Sequence, residues 1–166
     1  MATGLISMGV SPGERVAVMM NNTPEYIDVW FAIAKVTAVE VPLNTAYKGQ
    51  ILIHMLNNSG ATIMIIDQEF VDELQAIISE CPQLKTIIVN NNDDCEYHSL
   101  SSTNGLALNE LYAGNGQNLD LPCHQSTLAC IMFTSGTTGP SKGVMLNHHF
   151  EISFAIIYNK IVALKE

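Results

Sequence analysis

The sequence predicts an α/β fold: a mostly parallel sheet with helices on both faces. Three observations carry this expectation. Short β-rich runs at residues 62–66, 86–89 and 128–133 are apolar with almost no polar interruption. A strand covered on both faces reads as a continuous hydrophobic run, whereas a half-exposed strand alternates. Segments with helical periodicity stand between such runs, at residues 24–36, 48–58 and 69–80. Finally, 48% of the 166 residues are hydrophobic and no internal repeat is present, which fits one domain with a substantial core.

The elements follow in order. Residues 15–20 read as a strand. Thr23 is placed to cap a helix with Pro24 at its first position, and Glu25 and Asp28 favour its positive N-terminal end. This helix extends to about Val36 and is apolar nearly all round, so it is expected to be well buried. Residues 39–43 form a short strand. The next helix, 48–58, carries Ile51, Leu52, Met55 and Leu56 on one face, with Gly60 to end it. After the strand 62–66, residues 69–80 read as a third helix, with Val71, Leu74, Ile77 and Ile78 in register and Pro82 as its stop.

The strand 86–89 is followed by an acidic, polar stretch at 90–104, expected to be a surface loop. Residues 106–112 read as a short helix and 113–125 as a connection rich in Gly, Asn and Pro. The strand 128–133 precedes a return strand at 144–146 and a helix from about 149 to the end. That last helix is apolar on several sides, through Phe150, Ile152, Phe154, Ile156 and Ile157, so it expects a partner surface. Apolar surface left unfilled there also favours self-association.

Charge and composition exclude several classes. The formal net charge is −9 with only seven Lys and Arg, so no basic patch suits a nucleic acid. None of the four cysteines (Cys81, Cys95, Cys123, Cys130) has Cys-x-x-Cys spacing, and Cys95 with His98 lacks a second pair for zinc. Reduced thiols follow. The N-terminus lacks the basic start and long apolar core of a signal peptide. Asp28 and Lys35 interrupt the most apolar helix, which argues against a transmembrane segment. A cytoplasmic location is the expectation. His54 reads as a helix-face residue. His148 and His149 are adjacent and diverge in a helix or strand, so no metal site is assigned.

The richest chemical signal is the stretch 133–144, Phe-Thr-Ser-Gly-Thr-Thr-Gly-Pro-Ser-Lys-Gly-Val. Small residues admit close backbone approach to an anion, hydroxyls add donors, and the lysine adds a point charge. The combination suits a polyphosphate. It is not a Walker loop: Ser141 precedes Lys142 where glycine is needed, and Gly143 follows where a Ser or Thr would ligate magnesium. The kinase pattern Gly-x-Gly-x-x-Gly is absent too.

These twelve residues resemble the phosphate-binding motif of the adenylate-forming (AMP-binding) superfamily, which includes acyl-CoA synthetases, peptide-synthetase adenylation domains and beetle luciferases. Ser141 stands where that motif more often has proline, and His148 matches a histidine that follows it. The segments 9–17, 22–25 and 41–44 are similar to family segments in the same order, with Glu14 in place of aspartate. Thr37 takes a position usually held by glycine, where a positive φ would cost threonine on the order of 1 kcal/mol or more. Ser126 and Thr127 stand where acidic residues often precede the loop strand.

The resemblance is closest to an acyl-CoA synthetase or fatty-acid–CoA ligase. It implies that residues 1–166 form an incomplete part of the large N-terminal domain, with the C-terminal domain absent. The implied reaction activates a small carboxylic acid, a fatty or other acyl acid, with ATP and Mg2+. The acyl-adenylate then passes its acyl group to coenzyme A. Thr134, Ser135, Thr137 and Thr138 are implied as hydroxyl and backbone donors to the ATP phosphates. Gly136, Gly139 and Gly143 are implied to permit close approach, with Lys142 facing the β- and γ-phosphates. No catalytic residue is identifiable, because the family's magnesium glutamate, ribose aspartate and C-terminal lysine have no counterpart here. The isolated chain is therefore expected to be inactive. Two alternatives stay open: a remnant that binds a nucleotide or a partner without catalysis, and part of a peptide-synthetase adenylation domain.

Overall fold

A computed structural model describes residues 1–91, 104–113, 117–134 and 140–162. Seven strands form one sheet: β1 (Arg15–Met19), β2 (Val39–Pro42), β3 (Ile63–Asp67), β4 (Thr86–Asn90), β5 (Asn104–Ala107), β6 (Leu128–Thr134) and β7 (Lys142–Asn147), in the spatial order β5-β4-β3-β1-β2-β6-β7. Five of its six strand pairs are parallel, and only β6 with β7 runs antiparallel. This is the mostly parallel sheet that the uninterrupted apolar runs predict. The helices are α1 (Ala2–Ser7), α2 (Pro24–Lys35), α3 (Gly49–Ser59), α4 (Val71–Gln75) and α5 (His148–Val162).

Strand alternation splits the core into two layers. Ala17 and Met19 of β1, with Met64 and Ile66 of β3, pack beneath α3 and α4 beside Leu52, Leu56 and Leu74. Val16 and Val18, with Ile63 and Ile65, face the other way onto Leu5 of α1 and Val29 and Ile33 of α2. Both faces are covered, so neither strand has a polar side to show. Pro24 opens α2 and Thr23 holds its N-cap position, although the threonine side chain closes no capping bond. Gly60 ends α3 in the left-handed conformation at φ 67°.

α2 is not buried all round as its apolar composition predicts: it packs on the sheet by one face, burying Val29, Ala32 and Ile33 and leaving Ile27 and Phe31 exposed. Three further segments differ in secondary structure from their sequence reading. Residues 69–80 are not one helix. Only Val71–Gln75 is α-helical, flanked by 3-10 turns at Gln68–Phe70 and Ile78–Glu80. Val71, Leu74 and Ile77 are still buried, so the apolar face is the one the spacing predicts. The backbone leaves the α region ahead of Pro82, with Cys81 at φ −118°, ψ 63°, because a proline disfavours α geometry in its predecessor.

Residues 106–112 also split. Leu106 and Ala107 pair with Ile88 and Val89 as part of edge strand β5, and only Leu108–Ala113 coils, as a 3-10 helix. The burial of Leu108 and Leu111 against α1 accounts for the helical spacing. Third, α1 is a helix with no sequence signal strong enough to mark it. Gly4 lets it sit on the next layer: a β-carbon there would lie 2.5 Å from the Leu111 carbonyl oxygen.

Residues 92–103, most of the expected loop 90–104, lie outside the described residues, as do 163–166. Cys81, Cys123 and Cys130 are free thiols, and no group of three His, Cys, Asp or Glu side chains among the described residues is placed to hold a metal. No helix among the described residues is long and apolar enough to cross a membrane.

Candidate functional site

Parallel strands deliver their carboxyl ends to one edge of the sheet, where open α/β folds bind ligands. Here that edge is polar and cross-tied. The buried carboxylate of Asp67, ending β3, accepts the backbone N–H of Asn21 after β1 at 2.7 Å and the side-chain amide of Asn90 ending β4 at 2.8 Å. Next to it, Asn21, Asn22, Tyr26, Asn44 and Thr45 line a cavity of about 260 Å³ at the ends of β1 and β2.

The glycine-rich stretch emerges from the same edge, because β6 is parallel to β2, with Cys130 opposite Glu40. β6 ends at Thr134 and β7 begins at Lys142, and these two residues are cross-strand partners. The segment between them therefore leaves and re-enters the sheet at one point. Thr134 and Lys142 share a face of the sheet and both are exposed. Lys142 has no hydrogen-bond or ion-pair partner among the described residues. Ser135, Gly136, Thr137, Thr138 and Gly139 lie outside the described residues.

Two contacts fix the lysine arm of this hairpin. Ser141 presents its carbonyl to His54 Nε2 of α3 at 2.9 Å. A carbonyl only accepts, so Nε2 carries the proton. Gly143 turns its hydrogen toward the α3 layer, where a β-carbon would come 2.8 Å from Ile131 Cγ2 and 3.6 Å from the Phe133 ring. A side chain at this position would press on the protein's own core.

At the far end of β7, Asn147 Oδ1 accepts the Phe150 N–H and starts α5 without an intervening loop. The His148 and His149 backbone N–H groups bond the carbonyls of Thr127 and Gln125, which ties this corner to the chain entering β6. His148 is half-buried, and its Nε2 is buried without a hydrogen-bond partner among the described residues.

Two features escape the sequence reading. His54 reads as a helix-face residue, and nothing in α3 alone announces an acceptor some 87 residues later in the chain. The other is Glu40, whose one available signal is a carboxyl inside the apolar run 39–43. It is buried, and the Tyr26 hydroxyl donates to its Oε1 at 2.9 Å. Burial pushes the Glu40 carboxyl up to about 7; the Tyr26 hydrogen bond opposes this and the charge of Glu151 adds to it.

Comparison with known proteins places the chain in a family. The family of AMP-binding enzymes matches residues 1–163, and the chain belongs to that family. A crotonobetaine/carnitine–CoA ligase of Salmonella paratyphi A is 29% identical over 164 residues, covering 92% of this chain and 29% of the relative. A feruloyl-CoA synthase of Amycolatopsis is 32% identical over 148 residues, covering 89% of this chain and 26% of the relative. Among solved structures, a long-chain-fatty-acid–CoA ligase from Archaeoglobus fulgidus superposes with a TM-score of 0.83 at 28% identity, over 99% of this chain and 31% of that one. An anthranilate–CoA ligase in complex with anthranoyl-AMP gives 0.77 at 26% identity, over 89% of this chain and 27% of that one. The fold is thus the one these adenylate-forming enzymes use in their N-terminal domains, and the relatives are CoA ligases. The chain spans less than a third of their length.

Proposed function

We propose that this chain is the N-terminal portion of an ATP-dependent, AMP-forming acid–thiol ligase, and that its glycine-rich hairpin holds the ATP phosphates. The observation that carries the reading is the pairing of Thr134 with Lys142 at the carboxyl edge of the sheet, which gathers both ends of the loop and leaves a cation exposed beside it. Family membership over residues 1–163 supports it.

In this reading a carboxylate attacks the α-phosphorus of ATP, pyrophosphate leaves, and the acyl group passes from AMP to the thiol of coenzyme A. Negative charge grows on the departing pyrophosphate. Thr134, Ser135, Thr137 and Thr138 offer donors to it, Gly136 and Gly139 keep the backbone accessible, and the Lys142 ammonium faces the β- and γ-phosphates. Gly143 contributes by letting β7 lie flat on Ile131 and Phe133, which sets where Lys142 starts. The family also implies magnesium. Among the described residues no acidic cluster fits it, so no residue of this chain is assigned to the metal and no step is routed through it.

The acid is of the acyl class. Leu43-Asn44 is similar to acyl-CoA synthetases rather than to peptide-synthetase domains, and the relatives named above are ligases of crotonobetaine or carnitine, and of ferulate. The chain by itself binds only the phosphate end of the nucleotide and does not complete the reaction.

Titration calorimetry with Mg·ATP and with tripolyphosphate tests the reading. Both ligands are expected to bind weakly, with dissociation constants of roughly 0.1–1 mM, and Lys142→Ala to lose about fivefold or more, the worth of one charge-assisted contact. Equal affinities in the protein and the variant would sink the assignment of Lys142.

A further inference from the structure

On the α2 side of the sheet lies a second cavity, of about 370 Å³, roofed by α5 and floored by β2, β6 and β7. Its walls are largely apolar, and four aromatic rings contribute: Tyr26 and Trp30 from α2, and Phe150 and Phe154 from α5. Two carboxyl groups also line it, Glu40 on the floor and Glu151 on the roof.

Glu40 is only 5% exposed. One of its oxygens accepts from Tyr26, and Tyr26 is its only hydrogen-bond partner among the described residues. A buried carboxyl with acceptor capacity to spare is costly unless something completes it. Among the described residues, no Lys, Arg or His lines this space. The titratable groups that face it are Tyr26 from α2, Glu40 from β2, Cys130 from β6 and Glu151 from α5, and every one is an acid; β7 contributes only Leu146.

Their fields act on one another. Burial and then the Glu40 and Glu151 charges push the Cys130 thiol up to about 12, and burial and Glu40 raise the Tyr26 hydroxyl. The cavity therefore resists each further negative charge placed in it and favours a positive one. Aromatic faces combined with a desolvated carboxylate are the chemistry that recognises an organic ammonium ion, through cation–π attraction and a charge-assisted hydrogen bond.

We propose that this cavity is a binding site for an organic ammonium ion, with the cationic nitrogen between Glu40 and Glu151 and its apolar body against Trp30, Phe150 and Phe154. The site is separate in kind from the anion-holding hairpin, since it selects the opposite charge. It does not depend on the hairpin's function.

Trp30 is the protein's only tryptophan, so its fluorescence reports on the cavity alone. Phenethylammonium chloride titrated into the protein at pH 8 is expected to change that fluorescence saturably. Phenethyl alcohol, of the same shape without charge, and 3-phenylpropionate, of opposite charge, should bind at least tenfold more weakly. Glu40→Gln should lose tenfold or more of the ammonium affinity and Glu151→Gln several-fold, with thermal melts confirming that each variant folds. Affinity of the unmodified protein should also fall between pH 8 and pH 5 as Glu40 takes up a proton; this profile serves if Glu40→Gln does not fold. Alcohol binding as tight as ammonium binding, an unchanged affinity in Glu40→Gln, a flat pH profile, or no saturable response to the ammonium would each overturn the proposal.

Discussion

His54 Nε2 donates to the Ser141 carbonyl at 2.9 Å, so α3 grips the glycine-rich hairpin immediately before its lysine. The residues come from different layers of the fold, yet the bond sets where Lys142 begins to project. His54 touches no phosphate in the proposed reading; it is a positioning residue. Removing it leaves the charge present but its origin loose. His54→Ala is expected to weaken Mg·ATP binding about fivefold, the worth of one partly buried hydrogen bond near 1 kcal/mol. His54→Gln, whose amide nitrogen reaches about as far as Nε2, should recover most of that loss. A general packing role would not be rescued by Gln, so calorimetry on the two variants separates the explanations.

Thr37 sits at φ 54°, the single described non-glycine residue with a positive φ, and it is buried at the end of α2. A β-branched side chain in the left-handed region is strained. The position persists because its carbonyl accepts the Gly13 N–H at 2.8 Å and its neighbour Ala38 returns to the Ile33 carbonyl at 3.2 Å. Thr37→Gly keeps both bonds and relieves the strain. It is expected to stabilise the fold by about 1 kcal/mol, less the extra chain entropy of glycine in the unfolded state. Urea unfolding measures this. A loss of stability would show that the threonine side chain, through its methyl packing and its 2.7 Å hydrogen bond from Oγ1 to the Val36 carbonyl, outweighs the backbone strain.

The legibility of the sequence follows the range of the interactions. Strands β1, β3 and β4 are readable because burial on both faces leaves a direct composition signal, as at Ile63–Asp67. The left-handed Thr37 is legible only through the resemblance, which puts glycine at that position; nothing in the local composition marks it. Broken helices are harder: the register of Val71, Leu74 and Ile77 is identical in an α-helix and in the α/3-10 mixture that Pro82 enforces. The hairpin is legible as chemistry, in its glycines and lysine, but its anchoring is not. His54 meets Ser141 only when α3 docks on the sheet, and Gly143 meets Ile131 only when β7 pairs with β6. Glu40 and Tyr26 likewise come together across a helix–strand connection that sequence spacing does not reveal.

Gly143 makes the packing side of the hairpin testable. In Gly143→Ala the new methyl would meet Ile131 Cγ2 at 2.8 Å, with the Phe133 ring 3.6 Å away, and Ile131 is itself part of the α3-side core. Something must shift, and overpacking of this kind costs about 1–3 kcal/mol. Thermal unfolding should show the loss. Since β7 moves with it, Mg·ATP affinity should fall together with stability. An alanine variant of unchanged melting temperature would mean that β7 lifts freely off β6, contrary to the register that pairs Phe133 with Gly143.

The Glu40 carboxyl sets a pH dependence whose sign is fixed by its environment. Burial raises its folded value to about 7, above an unfolded value near 4.5. The folded state therefore holds this proton over a range in which the unfolded state has lost it, and stability falls with rising pH wherever the folded state binds more protons. The contribution is fully present below pH 4.5, declines as the pH rises, and is lost by pH values just above 7. An upper bound is about 3.5 kcal/mol, since each tenfold change in proton affinity is worth about 1.4 kcal/mol. Glu40→Gln keeps the shape without a charge to bury. Its stability should lack this slope between pH 4.5 and 7, so the variant gains on the unmodified protein as the pH rises and exceeds it most at pH 8. Chemical denaturation at pH 5, 6, 7 and 8 reads the difference directly. Parallel curves for the two proteins would mean that Glu40 titrates as an ordinary solvated carboxylate, with its side chain outside the pocket shared with Tyr26 and Cys130.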